Sequence, residues 1–228
     1  MTKRLIVGLS GASGVIYGIR LLEVLRGVDI PRVETHLVMS TAARQTILLE
    51  TDYKVEEVEA LASAHYRFND IAAAISSGSF KTMGMVVIPC SMKTLSGIAL
   101  SFSDNLLLRA ADVALKDRRR LVLVPRETPL HLGHLRLMTQ VIEMGAMIVP
   151  PMPAFYHRPQ TVDDIINQTV NRVLDVLEID LPVDLFERWA GPRYAPSRRR
   201  EGSEPNAREV TNPQLPITDA ERREDSEP

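Results

Sequence analysis

Residues 5–14 of the chain read Leu-Ile-Val-Gly-Leu-Ser-Gly-Ala-Ser-Gly. The first half is a short apolar run, typical of a buried strand, and far too short to cross a membrane. The second half contains only small and hydroxyl residues, and a helical pattern begins directly after it. A strand that turns through small residues into a helix is typical of a parallel α/β unit, in which ligands bind at the carboxyl ends of the strands. The free N–H groups at the start of such a helix attract an anion.

The alternation of strand and helix continues to residue 177. We predict strands at 5–9, 33–39, 85–88, 121–124 and 147–149, and helices at 15–26, 41–49, 55–64, 106–116, 135–144 and 162–177. Thr161 and Asp164 form an N-cap pair at the last helix. Apart from the one at 33–39, the strands are apolar throughout, as strands are when helices cover both faces of a parallel sheet. The sequence therefore predicts an α/β fold with a single doubly wound parallel sheet, Rossmann-like or flavodoxin-like, and helices on both faces.

The composition changes near Gly191. Residues 191–228 contain six of the chain's fifteen prolines and the run Arg198-Arg199-Arg200. Their apolar residues are scattered without a period, so this segment cannot bury enough surface to offset its ordering entropy. We predict one domain at 1–190 and a disordered tail at 191–228.

The overall composition excludes several classes of protein. The 228 residues have a net charge of −2, which gives no reason to expect a nucleic acid or an anionic membrane as a partner. The single cysteine, Cys90, excludes an internal disulfide and indicates the cytoplasm; its default interpretation is a small buried hydrophobe. His131 and His134 have a metal-like spacing, but no cysteine or carboxylate follows at a useful distance. We interpret them as a pair of helix-start histidines and expect no metal.

Hydroxyl and small residues follow three of the predicted strands. They are the Ser10–Gly14 segment, Ser40, and the run Pro-Cys-Ser-Met-Lys-Thr at 89–94. The first segment matches neither the dinucleotide-binding nor the Walker pattern of glycines. Three hydroxyl clusters at consecutive strand ends nevertheless favour a phosphate-binding edge.

Cations and aromatic residues occupy the later part of the chain. Arg109, Asp112 and Lys116 share a helical face, either as a surface ion-pair ladder or as an anion site. Arg126 and Glu127 lie in a loop between two prolines, which positions them to face a ligand. Residues 150–159 contain four prolines and two aromatic residues, a rigid path with flat apolar walls that suits a hydrophobic or cationic group.

In this order along the chain, these segments resemble the UbiX-type flavin prenyltransferase family, over essentially all of residues 3–190. The matching stretches are Gly-Ala-Ser-Gly at 11–14, Pro-Cys-Ser-Met-Lys-Thr at 89–94, Arg-Ala-Ala-Asp-Val-Ala-Leu-Lys at 109–116, Leu-Val-Leu-Val-Pro-Arg-Glu-Thr-Pro at 121–129 and Pro-Pro-Met-Pro-Ala-Phe-Tyr at 150–156. Residues 74–80 also resemble the small subunit that is encoded beside non-oxidative hydroxyarylic acid decarboxylases. The tail at 191–228 departs from the family pattern.

The resemblance implies an activity and its reactants. Family members transfer a dimethylallyl group from dimethylallyl phosphate to reduced FMN, first to N5 and then to C6 with ring closure, and require no metal. The product, prenylated FMN, serves a UbiD-type decarboxylase. Members assemble as dodecamers whose sites are completed across subunit contacts. Ubiquinone biosynthesis and aromatic acid decarboxylation both stay open as pathways, as do the phosphate and the pyrophosphate as donors.

The resemblance also implies roles for individual residues. The FMN-contacting positions are Gly11, Ala12, Ser13, Ser40, Ser91, Met92, Lys93, Thr94 and Arg126. The positions that contact the substrate phosphate are Arg109, Lys116, Arg126, Tyr156 and Arg172. The positions associated with catalysis are Ser13, Glu50, Glu127 and Trp189.

Two other functions stay open at this point. One is an FMN-dependent decarboxylase of the cysteine-decarboxylating flavoprotein fold, although the Pro-x-Met-Asn motif of those enzymes is missing from the sequence. The other is a non-catalytic, flavin-carrying accessory subunit of an aromatic acid decarboxylase.

Overall fold

The computed structural model describes residues 3–28 and 32–191, and its first compact unit ends at Trp189. Its strands are β1 Lys3–Leu9, β2 Val33–Met39, β3 Ala64–Tyr66, β4 Gly84–Cys90, β5 Arg120–Pro125 and β6 Met147–Ile148. Its helices are α1 Val15–Arg26, α2 Thr41–Glu50, α3 Val55–Leu61, α4 Met92–Ala99, α5 Leu106–Lys116, α6 Leu132–Glu143 and α7 Val162–Val176, with a 3₁₀ turn at Ala74–Ser76.

The strands form one sheet in the order β3-β2-β1-β4-β5-β6, and every pairing is parallel. The chain moves outward in one direction from β1 to β3 and in the other from β4 to β6, so the topological switch point lies between β1 and β4. Ligands bind in the crevice at such a point. The predicted α/β class and the doubly wound sheet are confirmed.

The sheet is buried on both faces because alternate residues of each strand enter opposite cores. Leu5, Val7 and Leu9 of β1 pack with α1 and α7, whereas Ile6 packs with α4 and α5 on the other face. A strand that is buried on both sides needs apolar residues at every position. This explains the uninterrupted apolar run from which the fold was predicted.

Two elements, β3 and α4, are missing from the prediction, and α6 begins at Leu132, three residues before its predicted start. The predicted helix at 55–64 ends at Leu61, and Ala64–Tyr66 forms the edge strand β3, in which Ala64 lies opposite His36 of β2. Helix α4 is not among the predicted helices; Ser91 caps it by accepting a hydrogen bond from the N–H of Thr94. A three-residue strand and an eight-residue helix are both too short for a hydrophobic period to identify.

Several local predictions are confirmed. Thr161 and Asp164 form a reciprocal capping box at α7. His131 is the N-cap of α6 and His134 lies in its first turn. Cys90 is buried, and its burial raises the pKa of the thiol.

The predicted tail at 191–228 lies outside the described residues apart from Gly191, and its disorder stays a prediction. Within residues 3–28 and 32–191, no helix combines the length and hydropathy needed to cross a membrane. The same residues contain no group of three or more metal-ligating side chains.

Candidate active site

Ser10 joins the ends of the two central strands. Its hydroxyl donates to the carbonyl oxygen of Pro89 at 3.0 Å and accepts from the N–H of Ser91 at 2.7 Å. The backbone N–H of Ser10 donates to the same Pro89 carbonyl at 3.2 Å. Ser10 is almost fully buried, so these bonds fix the start of α4 against the end of β1, at the topological switch point.

The neighbouring loops continue this chain of hydrogen bonds along the carboxyl edge of the sheet. The N–H of Ser40 donates to the carbonyl of Leu9 at 2.9 Å, which joins the β2 loop to the end of β1. The N–H of Arg126 donates to the carbonyl of Cys90 at 3.3 Å, which joins the β5 loop to the end of β4. The structure therefore brings the four loops with the predicted FMN-contacting residues to one edge.

The predicted hydroxyls at this edge also cap their own helices. Ser40 accepts from the N–H of Ala43 at 3.0 Å. Ser91 accepts from the N–H of Thr94 at 3.2 Å and donates to the Thr94 hydroxyl at 3.1 Å. A hydroxyl has one donor and two acceptor positions. The donor of Ser91 is bonded to Thr94, so Ser91 keeps an acceptor position for a ligand, whereas the bond from Ala43 leaves the donor of Ser40 available. Met92 is half-buried in this turn, and Lys93 is exposed.

The glycine-containing loop after β1 packs tightly against α2. A Cβ atom on Gly11 would lie 2.3 Å from the Cβ of Ala42, so any side chain at position 11 would push the loop away from this helix. The N–H of Gly14 donates to Oε2 of Glu50 at 2.8 Å. This bond places Glu50, a predicted catalytic residue, at the residue that follows Ser13, at the start of α1. Ala12 and Ser13 are half-buried in the same loop.

Arg126 and Glu127 are exposed in the loop after β5. Oε1 of Glu127 accepts a hydrogen bond from the N–H of Thr128 at 3.0 Å, which holds the carboxylate near its own backbone. Both side chains thus belong to the carboxyl edge, as predicted. Hydroxyls, small residues and a guanidinium at one edge fit a phosphorylated flavin.

The structure does not bring Lys116 to this edge within one chain. Lys116 ends α5, four residues before β5 begins at Arg120, so it lies at the amino edge of the sheet. Its ammonium donates to Oδ1 of Asp117 at 3.1 Å. Arg109 lies earlier on α5 and donates to the carbonyl of Ser76 at 3.2 Å and to Asp112 at 2.9 Å. Of the predicted surface ladder of Arg109, Asp112 and Lys116, the structure contains the Arg109–Asp112 ion pair, whereas Lys116 is paired with Asp117.

A groove of about 830 Å³ lies at the amino edge. Its charged lining residues are Lys116, Arg118, Arg119, Arg120 and Glu143. Of the predicted site residues it includes only Lys116. The switch point, where ligands bind in this type of sheet, and the hydroxyl caps are at the opposite, carboxyl edge.

Tyr156 and Trp189 meet in an aromatic cluster. Their ring centroids lie 5.9 Å apart at an interplanar angle of 69°, an edge-to-face arrangement. Arg172 donates to Asp175 at 2.8 Å, and Asp175 also accepts from Arg188. The sequence interpretation had not singled out Phe186, His157 or the bridging role of Ser10. Ser10 was within a segment recognised for its hydroxyl and small residues; for Phe186 the sequence offered no signal.

Comparisons with known proteins agree with this geometry. A family model described as Flavoprotein matches residues 1–174. The chain is 69% identical over 189 residues to flavin prenyltransferase UbiX of Escherichia coli strain K12, covering 83% of this chain and 99% of that protein.

Two solved structures are also similar. A crystal structure of AnUbiX (PadA1) in complex with FMN and dimethylallyl pyrophosphate has a TM-score of 0.79 and 50% identity, covering 84% of this chain and 99% of that one. A dodecameric FMN-dependent UbiX-like decarboxylase from Escherichia coli O157:H7 has a TM-score of 0.78 and 54% identity, covering 83% of this chain and all of that one.

The cysteine decarboxylases are more distant. Peptidyl-cysteine decarboxylase EpiD is 14% identical with a TM-score of 0.55, a likeness in fold alone. The strand ends, the hydroxyl caps and the high identity over the whole described unit lead to one assignment. The chain belongs to the UbiX family of flavin prenyltransferases.

Proposed function

We propose that this protein transfers the dimethylallyl group of dimethylallyl phosphate to reduced FMN, first to N5 and then to C6, and releases prenylated FMN and phosphate. The observation that supports this most strongly is the hydrogen-bonded row of loops around Ser10, in a chain 69% identical to flavin prenyltransferase UbiX of Escherichia coli. The alternatives, a decarboxylase of the cysteine-decarboxylating fold and a non-catalytic flavin carrier, have no comparable support.

The carboxyl edge binds the flavin in this proposal. Ser40, Ser91 and Thr94 contribute hydroxyls, and Arg126 contributes a guanidinium for the FMN phosphate. Gly11 has no side chain and Ala12 has only a methyl group, so the ligand can approach the backbone closely. Met92 and Lys93 border the same turn.

The substrate phosphate leaves as a dianion when the allylic carbon–oxygen bond breaks. Charge-assisted hydrogen bonds stabilise such a leaving group. The residues proposed for this role are Arg109, Lys116, Arg126, Arg172 and the Tyr156 hydroxyl. Aromatic faces at Tyr156 and Trp189 stabilise the allylic cation and exclude the water that would trap it.

Ring closure requires one proton delivered to the alkene and one removed from the flavin ring. We assign this proton transfer to Glu127, with Ser13 as relay and Glu50 beside it at the start of α1. The 2.8 Å bond from Gly14 to Glu50 supports the placement of Glu50 next to Ser13.

We infer that the site is completed across subunits of a dodecamer, as the UbiX-like structure from Escherichia coli O157:H7 is dodecameric. Two observations support this. Lys116 lies at the opposite edge of its own sheet from Arg126, so another copy must contribute it. Large apolar side chains are also exposed, with Leu49 at 84%, Met152 at 72% and Phe155 at 71%, which is typical of an interface.

We further propose that the protein acts in the cytoplasm and that its product passes to a UbiD-type decarboxylase. The resemblance of residues 74–80 to subunits encoded beside aromatic acid decarboxylases supports such a recipient.

The first experiment is anaerobic incubation of the full chain with reduced FMN and either dimethylallyl phosphate or the pyrophosphate, followed by mass analysis of the extracted flavin. Gain of one five-carbon unit is expected with the phosphate. Unmodified flavin with both donors, or carbon dioxide released from a carboxylic acid, would contradict the proposal.

A second experiment tests the shared site. Lys116→Ala and Tyr156→Phe are each expected to lose activity alone, and co-expressed mixtures are expected to regain it, because some sites then combine an intact Lys116 with an intact Tyr156. Arg136→Ala, an exposed arginine of α6 outside the proposed set, is the matched control. Mixtures no more active than the average of the two variants would exclude a shared site.

A further inference from the structure

Four aromatic rings cluster where the segment after α7 meets the proline-rich segment. Tyr156 contacts His157 with ring centroids 5.6 Å apart, Phe186 at 6.3 Å and Trp189 at 5.9 Å. His157 and Phe186 also contact each other, at 5.6 Å. Every pair is edge-to-face, the arrangement that the ring quadrupoles favour. Tyr156, His157 and Phe186 therefore form a closed triangle, and Tyr156 alone of the three extends it to Trp189.

His157 contributes its ring to this cluster rather than a hydrogen bond. Both ring nitrogens are buried, and neither has a hydrogen-bond partner within the part of the chain that the structure describes. Burial of an imidazole without partners lowers stability. The ring makes aromatic contacts to Tyr156 and Phe186. His157 also lies near enough to Asp164 to contribute to the lowered pKa of that carboxyl, after the hydrogen bonds from Gln160 and Thr161.

The backbone around Phe186 is held independently of the rings. The N–H of Leu185 donates to Oδ1 of Asn171 at 2.8 Å. Arg188 binds Asp175 through two nitrogens, at 2.9 and 2.7 Å. These bonds hold the backbone on both sides of Phe186 to α7 and so fix the position of its ring. The ring of His157 packs against this fixed ring and against the ring of Tyr156.

We propose that His157 is a positioning residue for the dimethylallyl site. Its ring, fixed by Phe186, sets the orientation of the Tyr156 phenol, and Tyr156 in turn supports the indole of Trp189. This inference rests on the proposed function, in which the Tyr156 hydroxyl binds the substrate phosphate and the two rings form the apolar wall. It predicts that the KM for dimethylallyl phosphate depends on the presence of a ring at position 157 and not on the ring nitrogens of His157.

The test compares His157→Phe, which keeps a ring of similar size, with His157→Ala, which removes it. Trp189 is the only tryptophan in the chain, so tryptophan fluorescence reports on the cluster without a contribution from another indole. For His157→Ala we expect red-shifted emission and a KM for dimethylallyl phosphate raised about tenfold, the scale of one lost aromatic contact network. FMN binding should stay unchanged because none of the residues assigned to FMN belongs to the aromatic cluster.

His157→Phe should restore both the emission maximum and the KM, and its melting temperature should be raised because two buried nitrogens without partners are removed. Unchanged emission and KM in His157→Ala would overturn the proposal. Loss of activity in His157→Phe with wild-type emission would also overturn it, because the nitrogens would then be required.

Phe186→Leu is the second variant, and it serves if His157→Ala does not fold. It removes the fixed point of the triangle and should reproduce the red shift and the raised KM; wild-type values would overturn the proposal. If the wild-type protein transfers no prenyl group, the proposed function fails, while the fluorescence comparison still decides whether His157 orders Tyr156 and Trp189.

Discussion

The backbone N–H of Gly14 donates a hydrogen bond of 2.8 Å to Oε2 of Glu50. Gly14 is the N-cap of α1 with φ of 93°, a left-handed conformation that favours glycine. Glu50 is the last residue of α2. A carboxylate at a helix N-terminus is stabilised by the helix dipole. The anion at the start of α1 is thus a side chain of the protein itself, adjacent to Ser13.

Glu50→Gln tests whether this carboxylate acts in catalysis or only caps the helix. The side chain is exposed, so the change should lower stability by less than about 1 kcal/mol. The rate of prenyl transfer should fall by at least about a hundredfold if Glu50 participates in proton transfer. Urea denaturation and single-turnover kinetics measure the two effects. Glu56→Gln, an exposed acid in the first turn of α3, is the control, and equal rates in both variants would leave Glu50 a capping residue.

Ser10→Ala should destabilise the protein by about 1–3 kcal/mol, because it leaves the partly buried N–H of Ser91 without its acceptor. FMN affinity should fall as well, since α4 would no longer be fixed against β1. Urea denaturation and quenching of flavin fluorescence give the two values. Ser13→Ala in the next turn is the comparison: it should keep the stability and slow ring closure. Wild-type FMN affinity in Ser10→Ala would show that this bridge does not order the flavin edge.

Glu127→Gln should bind FMN normally and stop after the bond to N5. Ring closure moves protons without changing composition, so the N5-alkylated flavin and the four-ring product have the same mass. Chromatography and NMR of the extracted flavin distinguish them. Glu56→Gln, an exposed acid of α3, should form the four-ring product. Complete ring closure in Glu127→Gln would remove Glu127 from this role.

His36 should make stability depend on pH. Burial lowers the pKa of His36, the nearby Arg4 lowers it further, and Glu34 opposes the shift. Nδ1 of His36 is hydrogen-bonded to the Tyr66 hydroxyl at 2.8 Å, and Phe80 covers the ring. The unfolded chain therefore takes up a proton more readily than the folded one.

Because the folded pKa is the lower one, the stability from neutral His36 is fully present above the unfolded pKa of about 6.5 and is lost as the pH falls through the folded pKa. Urea denaturation of the wild type between pH 8 and pH 5, values that span the ordinary histidine pKa of about 6.5, should show this loss. His36→Phe should flatten the profile over that window; an unchanged slope would assign the dependence to other groups.

Most of the fold could be predicted because the spacing of apolar residues within each element indicates whether it is a strand or a helix. The apolar run at 5–9 and the small residues after it identify β1 and its loop, and short apolar runs also mark β4 and β5. β3 and α4 were not predicted because three and eight residues are too few to show a hydrophobic period. The edge strand also depends on its pairing with β2, to which its own sequence gives no clue.

The candidate site, like the fold, has features that the sequence determined and features that the tertiary structure decided. The sequence by itself determined which loops are chemically suited to phosphate and flavin, because hydroxyls, glycines and cations follow the strand ends. Only the tertiary structure decided which of them meet: Ser10 and Ser91 are 81 residues apart in the chain, Gly14 and Glu50 are 36 apart, and Lys116 lies at the far edge of the sheet. The physical reason is that local propensity sets the type of each element, whereas distances between loops follow from strand order and packing over long sequence separations.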